Sequence, residues 1–195
     1  MGGGAGGGSV AAHGVRWRGP LTLCAHKGGM FTGAAADHCG ELMLASLGLP
    51  ETLYTLCAAD AHLLDARGMV HWLPTRPRGA HKGAFGHMLA IGGDFGMGGA
   101  IRLAGEAALR VGAGLVSLAT RAEHVSALNA ARPELMAHAV ADASGLEPLL
   151  QRASVIALGP GLCQGDWSRG LLHAGHAAGK PTWLVADAHS LLSPE

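Results

Sequence analysis

The chain has 195 residues, 14 Lys+Arg balanced by 14 Asp+Glu, and only 14% charged residues. That balance supplies no field to draw nucleic acid or an anionic membrane surface, and the low charge excludes a disordered chain. Its 32 glycines fit an α/β enzyme, and four cysteines with no C-x-x-C pair (Cys24, Cys39, Cys57, Cys163) fit a reduced, cytoplasmic protein without sulfur-bound metal. No segment approaches the roughly 18 apolar residues of a membrane span. Residues 1–19 form a Gly-rich, flexible lead without the apolar centre of a signal peptide.

Taken in order, Leu21–Ala25 reads as a strand, Lys27-Gly28-Gly29 as a turn, and Glu41–Leu44 as another short strand. A block this short cannot bury its own core, so it reads as the tail of something larger. Tyr54–Val70 is compatible with a weak strand and then a short helix. Two prolines and two arginines within Pro74–Arg78 make an extended, solvated connector. A domain boundary is expected over 74–80.

Met88–Ile91 is a short apolar run that reads as a buried strand. Gly92–Ala100 then carries five glycines and an alanine, where the chain must turn tightly. Ile101–Val111 follows as a helix with Ile101, Ala104, Ala108 and Val111 on one face. Leu115–Ala119 is the next strand. Glu123–Ala131 and Leu146–Arg152 are helical, Ser154–Leu158 is a strand ending in the corner Gly159-Pro160-Gly161, and Trp167–Ala178 is a helix. Thr182–Ala186 is the last strand, with Asp187 at its tip. Strands alternate with helices, so the fold class is α/β with a mainly parallel sheet and right-handed crossovers. Ligands of such sheets bind beyond the carboxyl ends of the strands, where Gly92–Ala100, Gly159–Leu162 and Asp187 all fall.

The glycine loop is neither common nucleotide fingerprint. Ile101 stands where a dinucleotide-binding loop has its third glycine, and Gly99-Ala100 occupy the Lys-Ser/Thr positions of a P-loop. It is either an anion-binding turn at a helix N-terminus or a tight turn with no ligand. Lys82, just before the first core strand, is either a solvated charge or a phosphate contact. Asp187 is either a helix cap or a carboxylate facing ligand or metal. The 12 histidines are scattered; His173 and His176 share a helix face but lack a third ligand, and no metal site is assigned.

Several motifs go further when read together. They are His81-Lys82-Gly83-Ala84-Phe85-Gly86, the loop Gly92–Ala100, Ala113-Gly114-Leu115-Val116, Arg132-Pro133-Glu134-Leu135-Met136, Gly159-Pro160-Gly161-Leu162 and Asp187-Ala188. In this order over residues 80–195 they resemble the NAD(P)H-hydrate dehydratase family. The resemblance implies a ribokinase-like three-layer sandwich, here incomplete. It also implies a lyase that dehydrates the S-form of hydrated NADH or NADPH while ADP or ATP, with Mg2+, is hydrolysed. The family's nucleotide phosphate activates the ring hydroxyl as a leaving group. Residues 20–73 resemble the tail of an NAD(P)H-hydrate epimerase domain and its connector, with 74–79 as the linker.

Carried over by motif, Ala100 and Gly161 are substrate contacts, with Gly98, Gly99, Gly159 and Asp187 beside them, and Lys82 serves the nucleotide cofactor. The resemblance places the catalytic Asp beyond Glu195, so no catalytic residue is assigned and a fragment inactive alone is expected. The expected partners are hydrated NADH/NADPH and an adenine nucleotide, with no nucleic acid and no membrane; a homo-oligomer is left open. Two departures stand out: Cys163 replaces a glycine, and Ala186 replaces a carboxylate. The alternatives are a fragment of a ribokinase-like small-molecule kinase and a non-catalytic nucleotide-binding remnant.

Overall fold

The Pro/Arg connector is where the chain divides. Contacts separate a first unit, Met1–Thr75, from a second, Arg76–Glu195. The computed structural model describes residues 16–57, 59–73 and 75–192. Most of the Gly-rich lead, and Pro74 of the connector, therefore lie outside the described residues.

In the first unit β1 (Leu21–Leu23) and β2 (Met43–Ala45) pair in parallel, with Leu21 opposite Met43. Two short helices follow, α1 (Glu51–Leu56) and α2 (Ala66–Met69). The weak strand expected from Tyr54 onward is instead the end of α1. Pro50 at the N-cap fixes φ at −66°, and Glu51 in the first turn suits the positive end of the helix dipole. Leu21, Leu44, Leu56 and Leu64 are all substantially exposed. These short elements leave their apolar side chains in water.

The second unit has enough chain to cover a sheet on both sides. Its strands are β3 (His87–Ile91), β4 (Leu115–Thr120), β5 (Leu135–Ala139), β6 (Val155–Leu158) and β7 (Thr182–Leu184), all parallel in the order β5-β4-β3-β6-β7. The connecting helices are α3 (Gly98–Val111), α4 (Ala122–Ala131), α5 (Glu147–Arg152) and α6 (Asp166–Ala177), with α7 (Asp187–Leu192) after β7. The chain first steps from β3 to β4 and β5, then returns past β3 to β6 and β7. Right-handed crossovers therefore put α3 and α4 on one face and α5 and α6 on the other. The pleat divides the core accordingly. Ala90 joins Ile101, Val116, Leu118, Leu128 and Leu135 on one side, while Leu89 and Ile91 join Leu150, Leu158, Leu171 and Leu172 on the other.

Two features differ from the sequence expectation. The first is β5, an unforeseen edge strand. Asn129 at the end of α4 accepts a hydrogen bond from the Ala137 amide at 3.3 Å, occupying an edge donor that no further strand takes. The second is the buried face of α3, which runs through Ile101, Gly105 and Ala108 and leaves Val111 79% exposed. A Cβ on Gly105 would stand 2.8 Å from Leu118 Cδ2 and 2.9 Å from Leu135 Cδ2, so the helix lies on the sheet at its glycine. Apolar periodicity cannot register a contact made by a missing side chain. α6 repeats the device: a Cβ on Gly175 would stand 2.6 Å from Leu158 Cδ1.

The direction of chain progression reverses between β3 and β6. In open parallel sheets that switch point opens a crevice beyond the strands' carboxyl ends.

Candidate functional site

Three turns meet at that crevice, and the main chain joins them. The Gly159 amide donates to the Ile91 carbonyl at 3.0 Å, the Gly93 amide to Pro160 at 2.9 Å and the Asp94 amide to Gly161 at 2.7 Å. A Cβ on Gly92 would collide with the Pro160 carbonyl, and one on Gly159 with the Val185 carbonyl. Such close approach requires glycine whatever the ligand, so Gly159 is explained by packing between turns. Gly161, at φ +62°, presses on the start of α3; its Cβ would stand 2.7 Å from Met97 Cβ and 3.0 Å from Ala100 Cβ. Ala100 and Gly161, both singled out by motif, are thus brought together.

The β4 end holds the glycine loop from the other side. Thr120 Oγ1 donates to the Gly93 carbonyl at 2.7 Å, Arg121 Nε reaches Asp94 Oδ1 at 2.7 Å, and His124 Nε2 lies 3.0 Å from the Asp94 carbonyl oxygen. The Arg121 guanidinium also lies over the Phe95 ring at 4.4 Å and over the Trp167 ring at 4.1 Å. Sequence reasoning did not single out Asp94, Arg121 or His124. The only hint was their place, in the loop or just after a strand.

What remains open is the start of α3. Met97, its N-cap, makes no side-chain capping bond, and the first turn carries no acidic residue. The first amides of a helix have no acceptor within it, so those of Gly98 and Gly99 are free to meet an anion. A recess of about 310 Å³ lies there, lined by Gly96, Gly98, Gly99, Arg102, His124, Ala127 and Leu128. A Cβ on Gly98 would meet the His124 ring at 2.9 Å, whereas Gly99 faces nothing within 4 Å. Arg102, paired with Glu106 at 2.7 Å, is the side chain there with donors to offer an anion, and the His124 ring forms a wall.

Asp187 lies at the start of α7, not at the strand tip. Its Oδ2 accepts from the Cys163 amide at 2.8 Å, tying the β6 corner to the β7 turn. Burial, with Asp94 and then Asp187 adding, pushes the Cys163 thiol above its ordinary value, the opposite of what an activated thiolate requires. Both departures from the family pattern carry left-handed backbone, Cys163 at φ +59° and Ala186 at φ +46°. Lys82 stands apart from these turns. It precedes β3, and its carbonyl packs on Gly114 just before β4, at the opposite end of the sheet. A five-residue strand spans about 17 Å, so Lys82 is not part of this crevice. His173 and His176 are exposed on α6.

Among the described residues no helix is long and apolar enough to cross a membrane. The family model described as NAD(P)H-hydrate dehydratase matches residues 88–194. A bifunctional NAD(P)H-hydrate repair enzyme of Coxiella burnetii is 47% identical over 186 residues, covering 95% of this chain and 38% of the relative. The chain thus spans well under half the length of that relative. A solved ribokinase-like superfamily protein of Enterococcus faecalis superposes with TM-score 0.56 at 32% identity, covering 60% of this chain and 42% of that one. The ADP/ATP-dependent NAD(P)H-hydrate dehydratase of Bacillus subtilis, co-crystallised with ATP/Mg2+, superposes with TM-score 0.50 at 28% identity over 59% and 42%. With its motifs, its ribokinase-like α/β sheet and these matches, the chain belongs to the NAD(P)H-hydrate dehydratase family.

Proposed function

We propose that the second unit holds the substrate in an ADP/ATP-dependent dehydration of the S-form of hydrated NADH and NADPH. The observation that carries this reading is the open α-carbon of Gly99 at the uncapped start of α3, facing the recess beside Arg102 and His124. A phosphate-bearing nucleotide matches free amides at a helix N-terminus. Gly98, Gly99, Ala100 and Gly161 are the proposed contacts. Gly159 and Asp187 keep the turns beneath these contacts joined.

The reaction restores the nicotinamide ring by losing a hydroxyl and a proton as water. This chain's part is to bind and orient the nucleotide so that the hydrated ring is fixed relative to the leaving hydroxyl. Among the described residues no three His, Cys, Asp or Glu side chains converge to hold a cation. No residue is therefore assigned to Mg2+, and no step is derived through the metal or the adenine nucleotide. The match to the bifunctional Coxiella relative extends across both units. That supports reading residues 20–73 as the end of an epimerase-like domain.

Calorimetric titration of (S)-hydrated NADPH into the chain tests the proposal. Saturable binding is expected, and Gly99→Leu should weaken it at least about tenfold by filling the recess, roughly 1.4 kcal/mol. Absence of saturable binding up to millimolar ligand contradicts the reading.

A further inference from the structure

The chain enters the second unit around the turn from α3 to β4. Gly112 closes α3 in the left-handed region at φ +108°, its amide donating to the Ala108 and Leu109 carbonyls at 3.1 Å each. Beyond it the Gly114 amide donates to the Phe85 carbonyl at 3.2 Å, and the Leu115 amide to Gly86 at 3.1 Å. From Phe85 onward the entering segment is therefore fixed by main chain to the start of β4. The stretch before it is held differently. Residues 76–79 are exposed, and their one printed main-chain bond is local, the Ala80 amide closing a turn on the Pro77 carbonyl at 3.1 Å.

One side chain reaches across. Arg76 Nη2 donates to the Gly112 carbonyl, and the same guanidinium lies over the Phe85 ring at 4.0 Å. Three attractions coincide there: a charge-assisted hydrogen bond, a cation at the negative end of a helix dipole, and a cation over an aromatic face. A Cβ on Gly112 would collide with the guanidinium, so this glycine serves both the left-handed turn and the arginine. The division of contacts falls at the same place, with the second unit beginning at Arg76.

We propose that residues 76–80 are a strap on the second unit and that Arg76 is its latch, fastening the strap to the end of α3 and fixing where the unit begins. The two ends of the strap are unequal. Its inner end runs into main-chain bonds to Gly114 and Leu115, whereas its outer end hangs on one exposed arginine. Losing that side chain opens the strap and leaves the sheet and its helices folded, a local opening in place of a global one. The inference is independent of any ligand at the carboxyl end of the sheet.

Limited trypsin digestion of the full chain, read by mass spectrometry, tests the latch. Arg76–Pro77 is not a trypsin site, since proline's missing N–H and fixed φ do not suit the protease cleft, so replacing Arg76 removes no cut. The bond to follow is Arg78–Gly79, inside the strap, while cleavage after Arg152 in α5 and Arg169 in α6 reports on the unit as a whole. Arg76→Gln is expected to speed cleavage after Arg78 at least about fivefold, leaving the other two rates within about twofold of the unaltered chain. Arg76→Lys keeps the charge but loses the planar fork, and should fall between. Phe85→Leu, which leaves Arg76 in place and removes the ring, should speed the same bond about twofold. An unchanged rate after Arg78 in Arg76→Gln overturns the proposal. So does an equal rise at all three bonds, which would make Arg76 a contributor to the unit's overall stability and not a latch. If circular dichroism shows that Arg76→Gln does not fold, Phe85→Leu decides: a rise confined to Arg78 upholds the latch, and an unchanged or uniform rate overturns it.

Discussion

At the amino end of the second unit's sheet, Gly114 takes the Lys82 carbonyl against its α-carbon, a Cβ on Gly86 would lie 2.9 Å from Ser154 Oγ, and the Arg76 guanidinium covers the Phe85 ring at 4.0 Å. At the carboxyl end Gly92, Gly93 and Gly161 are just as crowded, but Gly96 and Gly99 face nothing within 4 Å. Both ends are rich in glycine, and most of those glycines answer to backbone packing. The carboxyl end differs in having open space beside uncapped amides. Glycine count therefore does not mark a site, and the proposed one rests on the vacancy beside Gly99.

The largest effects should separate the two kinds of glycine. Gly92→Ala and Gly114→Ala each drive a Cβ into a carbonyl and should cost about 3 kcal/mol in urea denaturation. Gly99→Ala meets no atom and should leave stability equal or higher by up to about 1 kcal/mol, through helix propensity. Equal losses at Gly92 and Gly99 would break the distinction.

A smaller effect belongs to a polar cluster that spans three strands of the sheet. Ser117 Oγ lies 2.9 Å from His87 Nε2 and 3.3 Å from His138 Nε2, linking β3, β4 and β5. One hydroxyl can donate to one neutral imidazole and accept from another, so the cluster is satisfied when both rings are neutral. Burial first, then Arg152, hold both histidines below their ordinary 6.5, and His138 lowers His87 further. An unfolded chain takes up these protons first. The stability from the neutral rings is therefore whole above about pH 6.5 and declines as pH falls through the lowered values. The urea midpoint should drop between pH 7.5 and 5.0, and His87→Gln or His138→Gln should flatten that drop. A slope identical in both variants and the unaltered chain would contradict it.

Much of this was legible beforehand, for physical reasons. Apolar runs bounded by glycines announced β3, β4 and β6, and motif singled out both Ala100 and the corner containing Gly161. The edge strand Leu135–Ala139, which follows Pro133 and carries a half-buried histidine, lacked such a run and was read only as motif. Gly105 and Gly175 hid their contacts by having no side chain. Arg121 and Asp94 are 27 residues apart, and no local pattern joins a strand end to a loop across that distance. Sequence nearness to β3 does not say which end of that strand Lys82 serves.

The smallest effect concerns the two departures, since the glycine replaced by Cys163 stood where the backbone is left-handed. Ala186, at φ +46°, also pays for a Cβ there, and Ala186→Gly should gain about 0.5–1 kcal/mol in urea denaturation. A loss of stability would show that its methyl group matters more than its backbone.

The most direct test is the amide 1H–15N spectrum of the chain during titration with NADPH. The amides of Gly96, Gly98, Gly99, Ala100 and Gly161 are predicted to shift together with one saturating midpoint, while Lys82, Gly86 and Gly114 stay still. Shifts confined to the Lys82–Gly114 end, or none at the start of α3, would contradict the assignment of the carboxyl end as the substrate site.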